Sequence, residues 1–229
     1  MRDPGRWITV LIYAIAMALV EAAVVAYLRT LIGSTDPYRA GALTLPAWMM
    51  RTEIAREAAT LVMLGTVAWL AGRNWRTKLG YFLAAFGVWD IFYYLFLATI
   101  SGWPRSLLAW DVLFLIPLPW WGPVLAPLSI AVLMLVLGTQ ITQFGKGERS
   151  SWPSVLSWSL CCVGTSIALY VFMADAIHAP KWDAETLNSI LPFGFDWLLF
   201  VVALALMAAP VIELVWWCQT DARGSHEAD

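Results

Sequence analysis

The chain has 229 residues, 61% of them hydrophobic and only 13% charged, with a mean hydropathy of +0.71. Soluble domains average about 45–50% apolar and about 25% charged residues, so this composition belongs to an integral membrane protein. A net charge of -2 without a basic patch argues against a nucleic-acid partner, and two histidines in the whole chain argue against a bis-His haem within the membrane.

A membrane-spanning helix needs about 20 mostly apolar residues. The first such run covers residues 7–31, holds Glu21 at mid-span and ends near Arg29. Arg2, Arg6 and the small residues Ala22 and Ala23 give it some likeness to a signal peptide. Its apolar stretch continues to about Ile32, however, too far for a typical signal core, so it is read as a span. The second span, 53–72, opens on Glu53, Arg56 and Glu57. Glu53 and Glu57 share a face at i,i+4, and acids at a helix start favour the positive end of its dipole, which gives Glu53 a capping role. Glu57, one turn deeper, is the better candidate for burial.

The third span, 79–101, carries Asp90 near its centre, with Tyr93 and Tyr94 one turn on as donors to a carboxylate or relays to it. The next apolar stretch, 106–118, is bounded by Pro104, Pro117 and Pro119 and is too short to cross alone. It is read as a half-helix, either re-entrant or lying in the interface, and it carries Asp111. Trp89-Asp90 and Trp110-Asp111 form similar pairs, in which an indole N–H can donate to an aspartate on the neighbouring element. Spans at 121–143, 154–174 and 194–217 complete the count. Pro210 is expected to kink the last of them, with Glu213 just beyond as an interfacial residue. Cys161, Cys162 and Cys218 read as packing residues rather than a disulfide or metal pair. Of the 15 tryptophans, many stand near span ends, among them Trp48, Trp75, Trp103, Trp121 and Trp216, as in an interfacial belt.

Loop charges orient the bundle. The loop 72–78 holds Arg73, Arg76 and Lys78, the loop 144–152 holds Lys146 and Arg149 against Glu148, and the N-terminus holds Arg2 and Arg6. The loop 175–193 instead holds Asp175, Asp183 and Glu185 against Lys181. Basic loops face the cytoplasm, although the loop 32–52, outside in this scheme, carries Arg39 and Arg51. The expected fold is an all-α helical bundle of about six transmembrane helices plus the half-helix, with both termini cytoplasmic. Residues 1–219 form a single transmembrane domain and 220–229 a polar, mobile tail.

In this topology Glu21, Glu53, Glu57, Asp90 and Asp111 all lie in the outer half of the membrane or near its midplane. A charge in hydrocarbon costs roughly 2.5–3.5 kcal/mol on insertion scales, so such residues pair, line wet cavities or carry function. Arg29 and Arg56 can neutralise some of them, but five acids against two arginines leave an excess of three negative charges. Carboxylates of this kind suit a hard cation or, when desolvated, proton relay. The candidate site is Glu21, Glu57, Asp90 and Asp111 with Arg56, Tyr93 and Tyr94, flanked by Glu53 and Arg29; no catalytic residue and no particular metal is assigned.

The stretches Glu21 to Arg29, Arg56-Glu57-Ala58-Ala59-Thr60, Gly87-Val88-Trp89-Asp90-Ile91-Phe92-Tyr93-Tyr94 and Trp110 to Pro127 together resemble a family of uncharacterised bacterial multi-pass membrane proteins of similar length. The resemblance covers about residues 10–130 and implies a protein of the bacterial inner membrane, but no activity. Three readings remain. The first is an outward-opening acidic site that binds or transports a cation, proton or small cationic solute. The second is an accessory subunit of a larger redox or photosynthetic complex, its aromatics packed on partner subunits, lipids or pigments. The third is a membrane-embedded enzyme acting on a lipid or quinone. Besides the lipid bilayer, partner subunits or copies of the same chain are the expected partners.

Overall fold

The structure, a computed structural model, describes residues 3–31, 33, 46–144, 152–179 and 194–226. Of the charges used above for orientation, Arg2, Arg39, Lys146, Glu148, Arg149, Lys181, Asp183 and Glu185 lie outside the described residues. Along the chain come α1 (Pro4–Leu31), α2 (Ala47–Ala71), α3 (Trp75–Ser101), β1 (Trp110–Phe114), β2 (Trp120–Pro123) and α4 (Leu125–Thr139). A π-helical turn (Gln140–Phe144) extends α4, and α5 (Val155–Ile177), α6 (Trp197–Met207) and α7 (Ala209–His226) follow.

Six helical segments among the described residues are long and apolar enough to cross a membrane, with mean hydropathy between 1.4 and 2.6. Their outward faces are apolar too: Leu70, Val155 and Leu198 are 79%, 84% and 79% exposed. Apolar residues all round a helix mark a span in lipid, and the chain is a multi-pass membrane protein built as an all-α bundle. The break between α6 and α7 falls at Ala208, two residues before Pro210, whose missing N–H interrupts the helical ladder as expected.

The contacts at the helix ends fix the topology. Arg6 donates to the Ala71 carbonyl (3.2 Å) and the Asp3 amide to Gln143 Oε1 (3.4 Å), so the start of α1 meets the ends of α2 and α4. On this same face Asn74 and Thr77 form a capping box that starts α3, worth about 1 kcal/mol. We call the opposite face outer, following the loop charges. α3 runs through the middle, packed on α1, α2 and α4, while α5 and α6 form a second pair joined to the first group partly through β2. Glycines set the closest approaches: a Cβ on Gly138 of α4 would lie 2.4 Å from the Gly80 oxygen of α3, and one on Gly87 2.4 Å from the Ala131 oxygen.

Glu213 does more than sit at an interface. Its carboxylate accepts from the Ser154 amide and hydroxyl, both at 2.9 Å, and so ties α7 to the start of α5. Glu213→Ala is expected to lower stability by about 1–2 kcal/mol, read as a lower melting temperature in detergent; an unchanged melting temperature would show that the tie carries no weight.

Three sequence expectations need correction. Residues 106–118 form no half-helix; they lead into and contain β1, the first strand of a two-stranded antiparallel hairpin with β2, Trp110 opposite Pro123 and Asp111 opposite Gly122. Val112, Phe114, Trp120 and Trp121 favour strands, and a hairpin closes most backbone hydrogen bonds on itself, which permits non-helical chain beside lipid when protein covers it. Second, α2 begins at Ala47, just after Pro46, so Glu53 lies beyond the first turn and caps nothing. Third, Trp103 and Trp121, placed in the interfacial belt, are buried at 7% and 2% exposure, whereas Trp48, Trp75 and Trp216 are exposed.

Candidate functional site

All nine residues singled out from the sequence line one cavity of ≈ 200 Å³ enclosed by α1, α2, α3, the hairpin, α4 and α5. Helix arithmetic explains why. Glu21 lies ten residues before the outer end of α1, Glu57 ten after the outer start of α2, and Asp90 eleven before the outer end of α3. At 1.5 Å per residue each stands about 15 Å below the outer face, so three carboxylates share one depth.

The two arginines take up three of the acids. Arg56 pairs with Glu21 across α1 and α2 and with Glu53 one turn back (2.8 Å). Thr60 Oγ1 also donates to Glu21, at 3.0 Å. Arg29 Nη2 donates to Asp111 Oδ1 at 2.8 Å, and Asp111 is only 1% exposed. The Arg29 guanidinium also lies 4.1 Å from the centroid of the Trp103 ring, which explains why that tryptophan is buried rather than interfacial. The Arg29–Asp111 pair holds the hairpin in the bundle, together with the Leu115 amide, which donates to Glu57 Oε2 at 3.0 Å.

Two acids remain without a cation. Glu57 has the Leu115 amide alone, and Asp90 makes no hydrogen bond or ion pair with any described residue. The tyrosines at 93 and 94 lie against the cavity, yet neither donates to Asp90. The expected Trp89-to-aspartate bond is likewise not made: Trp89 Nε1 is buried with no partner among the described residues, as are Trp120 Nε1, Asp111 Oδ2 and Arg29 Nη1. A native interior satisfies nearly all such groups, and orphans call for a ligand, ion or water.

Sequence reasoning missed the cavity's aromatic walls. On one side Phe86, Trp89 and Tyr93 of α3 follow one another, with centroids 5.3 Å and 6.1 Å apart. On the other, Trp120 of β2 sits 5.4 Å from Phe114 and stacks on Phe172 of α5 at 6.2 Å and 4°. Gly122 lets the hairpin approach, since a Cβ there would lie 3.0 Å from the Phe172 ring. Thr60 was findable, because it stands one turn beyond Glu57 on the same face; Phe172 carries no such signal. Among the described residues no group of three or more His, Cys, Asp or Glu side chains is placed to hold a metal ion. His178, at the C-terminal end of α5, is exposed, with Nδ1 2.6 Å from the Ala174 carbonyl oxygen.

No protein-family model, curated protein or solved structure matches the chain.

Proposed function

We propose that this multi-pass protein binds a cation or small cationic solute in the cavity between α1, α2, α3 and the hairpin, entered from the outer side of a bacterial inner membrane. The observation that carries this reading is the pair of carboxylates, Glu57 and Asp90, left without a cation after Arg29 and Arg56 have found partners. Buried carboxylates at one depth, with no basic group at ion-pair distance, attract positive charge from outside the chain. Movement of the bound solute across the bilayer is the natural extension, with broken backbone beside the site as in many transporters.

The test measures thermal stability of the detergent-solubilised protein in sodium, potassium and tetramethylammonium chlorides at constant ionic strength. At least one cation is expected to stabilise the wild type saturably, by about 2.7 kcal/mol at a hundredfold excess over its dissociation constant. Asp90→Asn should insert and fold normally and lose the response. A flat response in the wild type, a response kept by Asp90→Asn, or failure of that variant to insert would each overturn the reading, the last by making Asp90 a structural residue.

A further inference from the structure

We infer that the ligand of this cavity is a small organic ammonium that also carries an acceptor oxygen, held between two aromatic walls; the inference rests on the cation-binding reading above. The cavity is far larger than a desolvated ion needs, since one water takes roughly 10–15 Å³ measured in the same way. A hard metal ion gathers about six or more oxygens at 2.3–2.6 Å, or near-octahedral geometry at shorter range. No described group of three ligating side chains offers the start of such a shell. A proton needs no volume. An anion would meet Glu57 and Asp90, neither of which has a cation beside it at ion-pair distance.

The walls speak for an organic cation. Faces of Trp and Tyr attract alkylammonium groups through their ring quadrupoles, more strongly when desolvated. Here Trp89 and Tyr93 stand on α3 while Trp120, stacked on Phe172, stands opposite, and both sets line the space that Glu57 and Asp90 border. An ammonium seated there would find charge from the carboxylates and faces from the rings. Three buried donors around the same space, Trp89 Nε1, Trp120 Nε1 and Arg29 Nη1, have no acceptor among the described residues. An indole N–H can only donate, so an acceptor oxygen on the ligand completes them where a bare tetraalkylammonium would not.

Equilibrium dialysis of the full chain in nanodiscs with labelled choline tests this, against unlabelled 3,3-dimethylbutan-1-ol, which has the same shape and hydroxyl but no charge. Choline is expected to bind saturably at one site per chain, and the neutral isostere to compete at least about tenfold more weakly. Trp120→Phe keeps the ring stack and removes the donor, and should weaken choline by about five- to tenfold with the melting temperature unchanged. Equal competition by the isostere would overturn the ammonium, and full-strength binding by Trp120→Phe would overturn the acceptor oxygen. If sodium or potassium stabilises the protein in an Asp90-dependent way while choline does not bind, the cation reading stands and only this ligand class falls. If neither binds, both fall.

Discussion

Arg29→Met is expected to cost about 3–5 kcal/mol of stability, because it removes one partner of a buried ion pair and strands the other. Asp111 is 1% exposed and already has one oxygen without a partner, so losing Arg29 leaves its carboxylate buried without its ion-pair partner. Methionine approximates the stem of arginine, so little packing is lost and the effect reports the charge. Unfolding curves in mixed detergent would measure it. The double variant Arg29→Met/Asp111→Asn should recover a good part of the loss, since it leaves no buried charge behind. A single variant within 1 kcal/mol of wild type would mean that water reaches the pair and the hairpin is anchored elsewhere.

The second large effect is steric. In Gly138→Leu the first side-chain carbon alone would lie 2.4 Å from the Gly80 oxygen, 2.5 Å from the Ala84 amide and 3.0 Å from the Ala84 Cβ. The first two are backbone atoms of a central helix that cannot swing aside, so α3 and α4 must part. Ordinary overpacking costs roughly 1–3 kcal/mol; here the expected result is loss of the monodisperse species in size-exclusion chromatography. Gly65→Ala is the internal control. Its added methyl meets nothing within 4 Å, so the variant should match or exceed wild-type stability by up to about 1 kcal/mol. Equal behaviour of the two variants would show that close α3–α4 contact is dispensable, against the principle that helices in lipid associate by tight packing of small residues.

Hydropathy made the spans readable because a bilayer imposes a length that few other environments impose. It failed at the edges. Charge at Arg51 and Glu53 suggested a boundary there, yet α2 starts at Ala47, because Pro46 and the following Trp48, Met49 and Met50 set the helix start before any charge appears. The hairpin failed for a different reason: a short apolar run has no period that separates strand from helix. Its prolines, at 117 and 119, pointed to broken backbone without saying which kind. Convergence of the acids was legible, since depth along a helix follows from residue number alone. Their pairing was not. That Arg56 takes Glu21 and Glu53, leaving Glu57 and Asp90, depends on helix rotation about axes that the sequence does not display.

The ion pairs also bear on how the chain enters the bilayer during synthesis. Arg56 finds its partners on its own helix and on the one made just before, so α1 and α2 can enter together as a hairpin whose charges already offset one another. This suits α2, which has the lowest mean hydropathy of the spans, 1.4. Arg29 has no such early partner, because Asp111 follows it by 82 residues. Close to the outer end of α1, its long side chain can reach headgroup water while α2 and α3 are laid down. Its withdrawal from that water must wait for the Asp111 strand, which makes burial of Arg29 a late step in building this half of the protein.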